Sequence, residues 1–285
     1  MARANERMVS RISRAQSTTM TTGVLIFAYN NEHINYLAMA NWSAKNIRKH
    51  LNLPVCVVTD LAIPAEYEFE QVVYASTDSQ NSRWFADIDA TVTWYNGNRS
   101  NAYELSPWDQ TLVLDADYVV ASDQLTQLLV INQDFLCHRW AYDVTGLQSF
   151  DDNNFFGRHQ MPMSWATVML FGRNKTAELI FESMQMIRDN WEHYRNLYGI
   201  LKSTYRNDFA LSIAMNIVDG HTLSTPAIPW QLATVTPDHQ LTQIAQDQYR
   251  VDFATVDKKT RWIKLTHDFH AMGKHHLGAI IANNT

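Results

Sequence analysis

The stretch from residue 23 to residue 60 most constrains what this chain can fold into. Gly23-Val24-Leu25-Ile26-Phe27-Ala28-Tyr29 is an unbroken apolar run that stops at Asn30-Asn31. A strand that is apolar at every position, rather than at every second one, is buried on both faces. Ile34, Leu37, Ala40, Ala44, Ile47 and Leu51 then recur at spacings of three and four, which places them on one face of a helix, and Leu53-Pro54 ends that pattern. Val55-Cys56-Val57-Val58-Thr59-Asp60 repeats the first kind of run. Strand, amphipathic helix and strand make a βαβ unit, with a right-handed crossover and a parallel sheet. An α/β fold is therefore expected. Ligands of such sheets gather at the carboxyl ends of the strands, so Ala28, Tyr29, Asn30, Asn31 and Asp60 are candidate ligand-binding positions.

The rest of the chain fits one large α/β domain. Its 285 residues are 46% hydrophobic and 12% aromatic, enough for a sizeable core, and 18% charged residues are too few for a disordered polyelectrolyte. Further strands are predicted at Glu70–Tyr74, Thr111–Leu114, Ala166–Phe171 and Trp262–Thr266, and helices after Asn174 and after Asn207. Asn174 or Thr176 is the expected cap of the first helix, and Asp208 has a capping role open to it in the second. The segment from Asp78 to Tyr103 has no clear period. Arg3, Arg7, Arg11 and Arg14, opposed by Glu6 alone, give residues 1–22 a charge of +3 within a net −6, so a basic tail is expected to precede a body of −9. The domain is expected over 23–277, with a nucleotide-binding half at 23–120 and an acceptor half at 121–277, and a short tail at 278–285. Two cysteines and no C-x-x-C pair leave no disulfide framework or cysteine-built zinc module. No run reaches the roughly 18 to 20 apolar residues of a membrane helix. A cytoplasmic protein without a membrane partner is the expectation.

The chemistry concentrates where Leu112-Val113-Leu114 runs into Asp115-Ala116-Asp117. In an extended chain that spacing points both carboxylates the same way, and each raises the other's cost of ionisation. A divalent metal with oxygen ligands compensates such a pair; a turn whose carboxylates accept from backbone N–H groups is the alternative.

Leu105-Ser106-Pro107-Trp108-Asp109-Gln110 followed by Thr111-Leu112-Val113-Leu114-Asp115-Ala116-Asp117 resembles the segment that introduces the Asp-x-Asp motif of nucleotide-sugar glycosyltransferases of the GT-A fold, especially glycosyltransferase family 8, the glycogenin-like group. His270-Ala271-Met272-Gly273-Lys274 resembles that family's late His-x-x-Gly-x-x-Lys motif. The resemblance covers most of residues 23–277. It implies a single-domain, Rossmann-like GT-A fold with a mixed, mostly parallel sheet, and retention of anomeric configuration. It further implies a UDP-linked sugar donor and a Mn²⁺ or Mg²⁺ ion held by Asp115, Asp117 and His270, with Asp115 also near the ribose and Gly273 and Lys274 at the diphosphate. An imidazole in that set favours Mn²⁺. Tyr29 is a candidate for stacking on the base, and Asp60 for the base or ribose. His267 competes with His270 for the metal. Asn207-Asp208-Phe209-Ala210-Leu211 resembles the helix-opening motif of the acceptor side, and Asp208 and Asp152 are candidates to orient or deprotonate the acceptor hydroxyl. Two departures stand out: Trp165-Ala166-Thr167 replaces a small glycine-bearing turn, and His276 occupies the position of the motif's lysine.

Two other classes share these motifs in part. Haloacid-dehalogenase-type phosphatases also place Asp-x-Asp after a strand, but open the domain with it, whereas a whole βαβ unit precedes it here. A non-catalytic sugar or nucleotide binder has no need of the complete Asp115, Asp117 and His270 set. The acceptor is a protein, glycan or small molecule, or a hydroxylated pyrimidine in DNA, since the opening Phe27-Ala28-Tyr29-Asn30-Asn31 is similar to phage-encoded glycosyltransferases. In the DNA case the basic tail and the Arg-, Trp- and Tyr-rich stretch from Ser82 to Tyr103 would track phosphates or stack on bases.

Overall fold

The computed structural model describes residues 20–77, 81–85, 89–95, 97–150, 154–202 and 204–284. The first half contains β1 (Thr22–Phe27), α1 (Tyr36–Leu51), β2 (Val55–Thr59), β3 (Gln71–Tyr74), β4 (Asn81–Phe85) and β5 (Ala90–Trp94). After a 3-10 turn at Gly97–Asn101 come α2 (Ala102–Leu105), β6 (Gln110–Leu114), β7 (Tyr118–Val119), α3 (Thr126–Leu129), β8 (Phe135–His138) and β9 (Ala141–Asp143). Then follow β10 (Phe155–Phe156), β11 (Met161–Pro162), β12 (Trp165–Gly172), α4 (Lys175–Asp189), α5 (Trp191–Leu197) and α6 (Asn207–Val218). The chain ends with β13 (Leu232–Val235), β14 (Gln240–Ala245), β15 (Gln248–Ala254), β16 (Thr260–Leu265), β17 (Phe269–Ala271) and α7 (Lys274–Ala282).

The central sheet has the order β3-β2-β1-β6-β12-β8. Its first four strands are parallel, with Val24 beside Val55 and Ile26 beside Leu114, while β12 runs antiparallel to both β6 and β8. This is the expected mixed, mostly parallel sheet flanked by helices. Burial explains the unbroken apolar runs: Val24, Leu25, Ile26 and all of Val55–Val58 have no exposed surface.

Local signals fix α1 and α4. The side chain of Asn35 accepts from Ala38 N at the start of α1, Asn52 ends it in the left-handed conformation, and Arg48, Lys49 and His50 occupy the last turn, where the helix dipole favours positive charge. Asn174, rather than Thr176, caps α4, accepting from Ala177 N at 2.9 Å.

A second sheet of short strands, β7-β17-β13-β9, sits at the carboxyl end of β6 and decides where the chemistry falls. Its strands hold two to four residues each, too few to show a period in the sequence. β17 pairs antiparallel with β7, setting His270 opposite Tyr118, and Ala271 N donates to Asp117 O at 3.0 Å. The expected tail from residue 278 is instead the continuation of α7, with Leu277, Ile280 and Ile281 buried in the core. The unplaced segment after Asp78 contributes the β4–β5 hairpin. Asn31 Nδ2 donates to Thr93 O and Thr93 N donates to Glu32 Oε1, so the hairpin is tied to the loop after β1.

Candidate active site

Asp115 and Asp117 leave the end of β6 in a turn closed by Tyr118 N donating to Asp115 O at 3.0 Å, while Asp115 N donates to Thr167 O of β12. β17 delivers His270 from 153 positions further along the chain, with Nε2 at 3.2 Å from Asp117 Oδ2. One ligand atom from each of Asp115, Asp117 and His270 lies within 4.8 Å of the others. Each carboxylate also meets a cation: the Arg99 guanidinium contacts Asp115 Oδ1, and the Lys274 ammonium, from the first turn of α7, contacts Asp117 Oδ2. Burial drives the His270 pKa down to about 4, so the ring is neutral at pH 7, and its Nδ1 is buried without a hydrogen-bond partner. Two carboxylates and a neutral imidazole are a donor set that a Mn²⁺ or Mg²⁺ ion takes, and the orphaned Nδ1 is hydrogen-bonding capacity that the protein leaves unused.

The cleft around this cluster is lined by Tyr29, Asn98, Trp165, Thr167, Arg206 and Asp208, and by Arg83, Trp84 and Trp94 of the hairpin. Tyr29 is buried, and its hydroxyl accepts from Asn98 Nδ2, which also donates to Ser76 O. Asp208 is not the cap of α6; Arg206 holds that position without a side-chain cap bond. Asp208 instead reaches across to β12, where Oδ1 accepts from Ala166 N at 3.0 Å, and Oδ2 accepts from Arg206 at 2.7 Å. Burial alone would raise the Asp208 pKa, but Arg206, the Ala166 N–H and Arg99 together hold it below the usual carboxylate value. The carboxylate is ionised and both oxygens are engaged. Arg99 itself falls to about 10 through burial, opposed by Asp208 and Tyr205, and stays charged at pH 7.

Several sequence candidates lie elsewhere. His267 is outside the carboxylate cluster: it lines a separate cavity with His138, Tyr142, Trp230 and Asp268, and its Nε2 has no partner there. Ala28 is fully buried, donating to Val58 O, and Asn30 Oδ1 accepts from Leu37 N, so both hold the fold together. Asp60 is exposed at the end of β2 and does not line the cleft. Gly273 precedes α7, where an added Cβ would come within 3.2 Å of the His276 ring. His276 turns toward β14 and away from the carboxylates, so Lys274 is the residue of that motif that reaches the cluster. Asp152 lies outside the described residues. Nothing local in the sequence marks Arg99 or Arg206 as the partner of Asp115 or Asp208, because a buried arginine is recognisable only by a carboxylate that the fold brings to it.

No family model and no curated protein matches the chain. Solved structures similar to it include the glycosyltransferase GlyE of Streptococcus pneumoniae TIGR4, at 14% identity over 73% of this chain and 45% of that one, with a TM-score of 0.42. The galactosyltransferase LgtC in complex with donor and acceptor sugar analogs aligns at 13% identity over 68% of this chain and 70% of that one, TM-score 0.45. Mouse xyloside xylosyltransferase 1 does so at 13% identity over 69% and 82%, TM-score 0.40. The chain thus spans less than half of the GlyE chain that it matches.

Proposed function

We propose that the protein is a metal-dependent glycosyltransferase that moves a sugar from a nucleoside-diphosphate donor, UDP-linked, to an acceptor hydroxyl with retention of configuration. One observation carries this reading: Asp115, Asp117 and His270, the residues singled out by two motifs 153 positions apart, converge in a single cleft with Lys274. Asp115, Asp117 and His270 hold the Mn²⁺ or Mg²⁺ ion. When bound, the ion supplies Lewis-acid neutralisation of the charge that builds on the departing phosphate. Lys274 adds a point charge on the diphosphate once it leaves Asp117. Tyr29 borders the base. Asp208, ionised and held by Arg206 and the Ala166 N–H, orients the acceptor rather than deprotonating it. The acceptor hydroxyl belongs to a protein, glycan, small molecule or hydroxylated pyrimidine in DNA. The phosphatase alternative fits less well, because a whole βαβ unit precedes the Asp-x-Asp strand β6, whereas those enzymes open the domain with that strand.

The test is a thermal-shift screen of nucleotide sugars with and without Mn²⁺. A ligand stabilises only through binding the native state, and 100-fold saturation adds about 2.7 kcal/mol. The expected result is a rise in Tm with UDP-sugar plus Mn²⁺ that exceeds either alone, and its loss in Asp117→Ala along with donor turnover. An unchanged response in Asp117→Ala would refute the site.

A further inference from the structure

Beside the cleft lies a groove to which nothing so far gives a role. It is lined by Phe155, Phe156 and Arg158 on one side and Ile200, Leu201 and Lys202 on the other, and it meets the cleft at Arg206, which lines both. Among the described residues that line the groove there are three cations and no Asp or Glu, in a chain whose net charge is −6. Arg158 and Lys202 are exposed. Burial, and then the nearby charges of Arg206 and Arg83, lower the Lys202 pKa from its ordinary value.

The groove is also built to a fixed shape. Gly157 and Gly199 both have positive φ, at +70° and +65°. A Cβ on Gly157 would sit 2.3 Å from Tyr198 O, and one on Gly199 would sit 2.7 Å from the Arg158 Cβ. Arg158 N donates to Tyr198 O, so the two loops are pinned together with Arg158 and Lys202 on them. Aromatic rings pack against the cations, and one ring in the adjoining cleft is exposed. The Arg206 guanidinium lies over the Phe209 ring at 5.2 Å, Phe209 packs on Phe156, and in the cleft Arg83 lies over Trp94 while Trp84 is 56% exposed.

Exposed cations on a groove of fixed shape, with the exposed Trp84 ring in the adjoining cleft, match a single-stranded nucleic acid, whose phosphates need positive charge and whose bases stack on any flat face. We propose that Arg158 and Lys202 hold the phosphodiester backbone of a single-stranded nucleic-acid acceptor in this groove, which leads past the Asp208-paired Arg206 into the cleft, with Trp84 facing its bases. This rests on the glycosyltransferase reading, because it makes the strand the acceptor.

The experiment is a salt titration of binding to a fluorescent single-stranded oligonucleotide, comparing wild type with the double reversal Arg158→Glu, Lys202→Glu. Both side chains are exposed, and an unchanged Tm verifies folding. The expected result is a loss of at least about tenfold in affinity, with the slope of log K against log salt shallower by about 1.4, since each single-strand phosphate contact contributes about 0.7. Trp84→Ala should weaken binding at every salt concentration while leaving that slope unchanged. No oligonucleotide binding by the wild type, equal binding by the reversal, or tighter binding to anionic phospholipid vesicles or heparin than to the strand would overturn the proposal. UDP with Mn²⁺, titrated separately into the wild type, tests the donor site. Its failure removes the sugar-transfer reading even where the strand binds, and strand failure beside intact UDP binding removes this proposal alone.

Discussion

Two clusters of aspartate and histidine line different cavities beside the short second sheet, and they are compensated in opposite ways. Asp268 is buried, and its Oδ1 accepts from Ala121 N, Ser122 N and the Ser122 hydroxyl, all within 2.9 Å. Those donors belong to one turn and cannot leave it. Asp115 and Asp117 are instead compensated by side-chain cations, Arg99, which also donates to Ala166 O, and Lys274. Fixed backbone donors make a carboxylate part of the scaffold, whereas side-chain cations leave it exchangeable. The contrast separates His267 from His270 as well, since three residues of one chain segment send them to different cavities.

The largest effect expected to test that contrast is on metal-dependent turnover. His270→Ala should reduce Mn²⁺-dependent donor turnover at least about 100-fold, while His267→Ala should change it less than about threefold. Equal losses in steady-state assays would erase the distinction between the two clusters.

Next in size is a stability effect on the other side. Asp268→Ala strands three donors in the interior and should cost about 3–5 kcal/mol in urea unfolding, with Mn²⁺ and UDP still raising the Tm of the remaining native protein. A cost below about 1 kcal/mol would mean that Asp268 is not part of the scaffold.

The smallest effect is a pH dependence. His138 Nδ1 donates to Trp230 O, and burial lowers its pKa to about 4 from 6.5. The unfolded chain therefore takes up a proton that the native state refuses, so this contribution to stability is complete above pH 6.5 and is lost as pH falls toward 4. It amounts to about 3 kcal/mol at most. His138→Phe should flatten the fall in stability between pH 6.5 and 4, measured by denaturant midpoints, and an unaltered slope would show that another group carries it.

What the sequence disclosed follows from how far each signal reaches along the chain. The runs at 23–29 and 55–60 are legible because a parallel sheet covered on both faces must be apolar at every position, and helix α1 because one face repeats. Asp115 and Asp117 stand out because both belong to one turn, and His270 because a second motif surrounds it. The rest depends on pairings that only the fold makes. Arg99 meets a carboxylate 16 positions away, and nothing local marks it. The hairpin β4–β5 is half exposed and broken by polar residues, so no period survives. β15 was open to detection, since Tyr249, Val251 and Phe253 alternate inward, but its flanks are polar. The capping role open to Asp208 was a plausible local use that a distant partner, the Ala166 N–H, displaced.

Gly23 and Trp108 depend on one another in one direction only. The indole lies directly over β1, donating to Val24 O, and a Cβ at position 23 would fall 2.3 Å from its ring. Trimming Trp108 leaves a hole that the surroundings can partly close, whereas enlarging residue 23 drives a strand off its neighbours. In a saturation library, position 23 should therefore read as intolerant until Trp108 is replaced first, so the order in which changes arise decides which sequences are reachable.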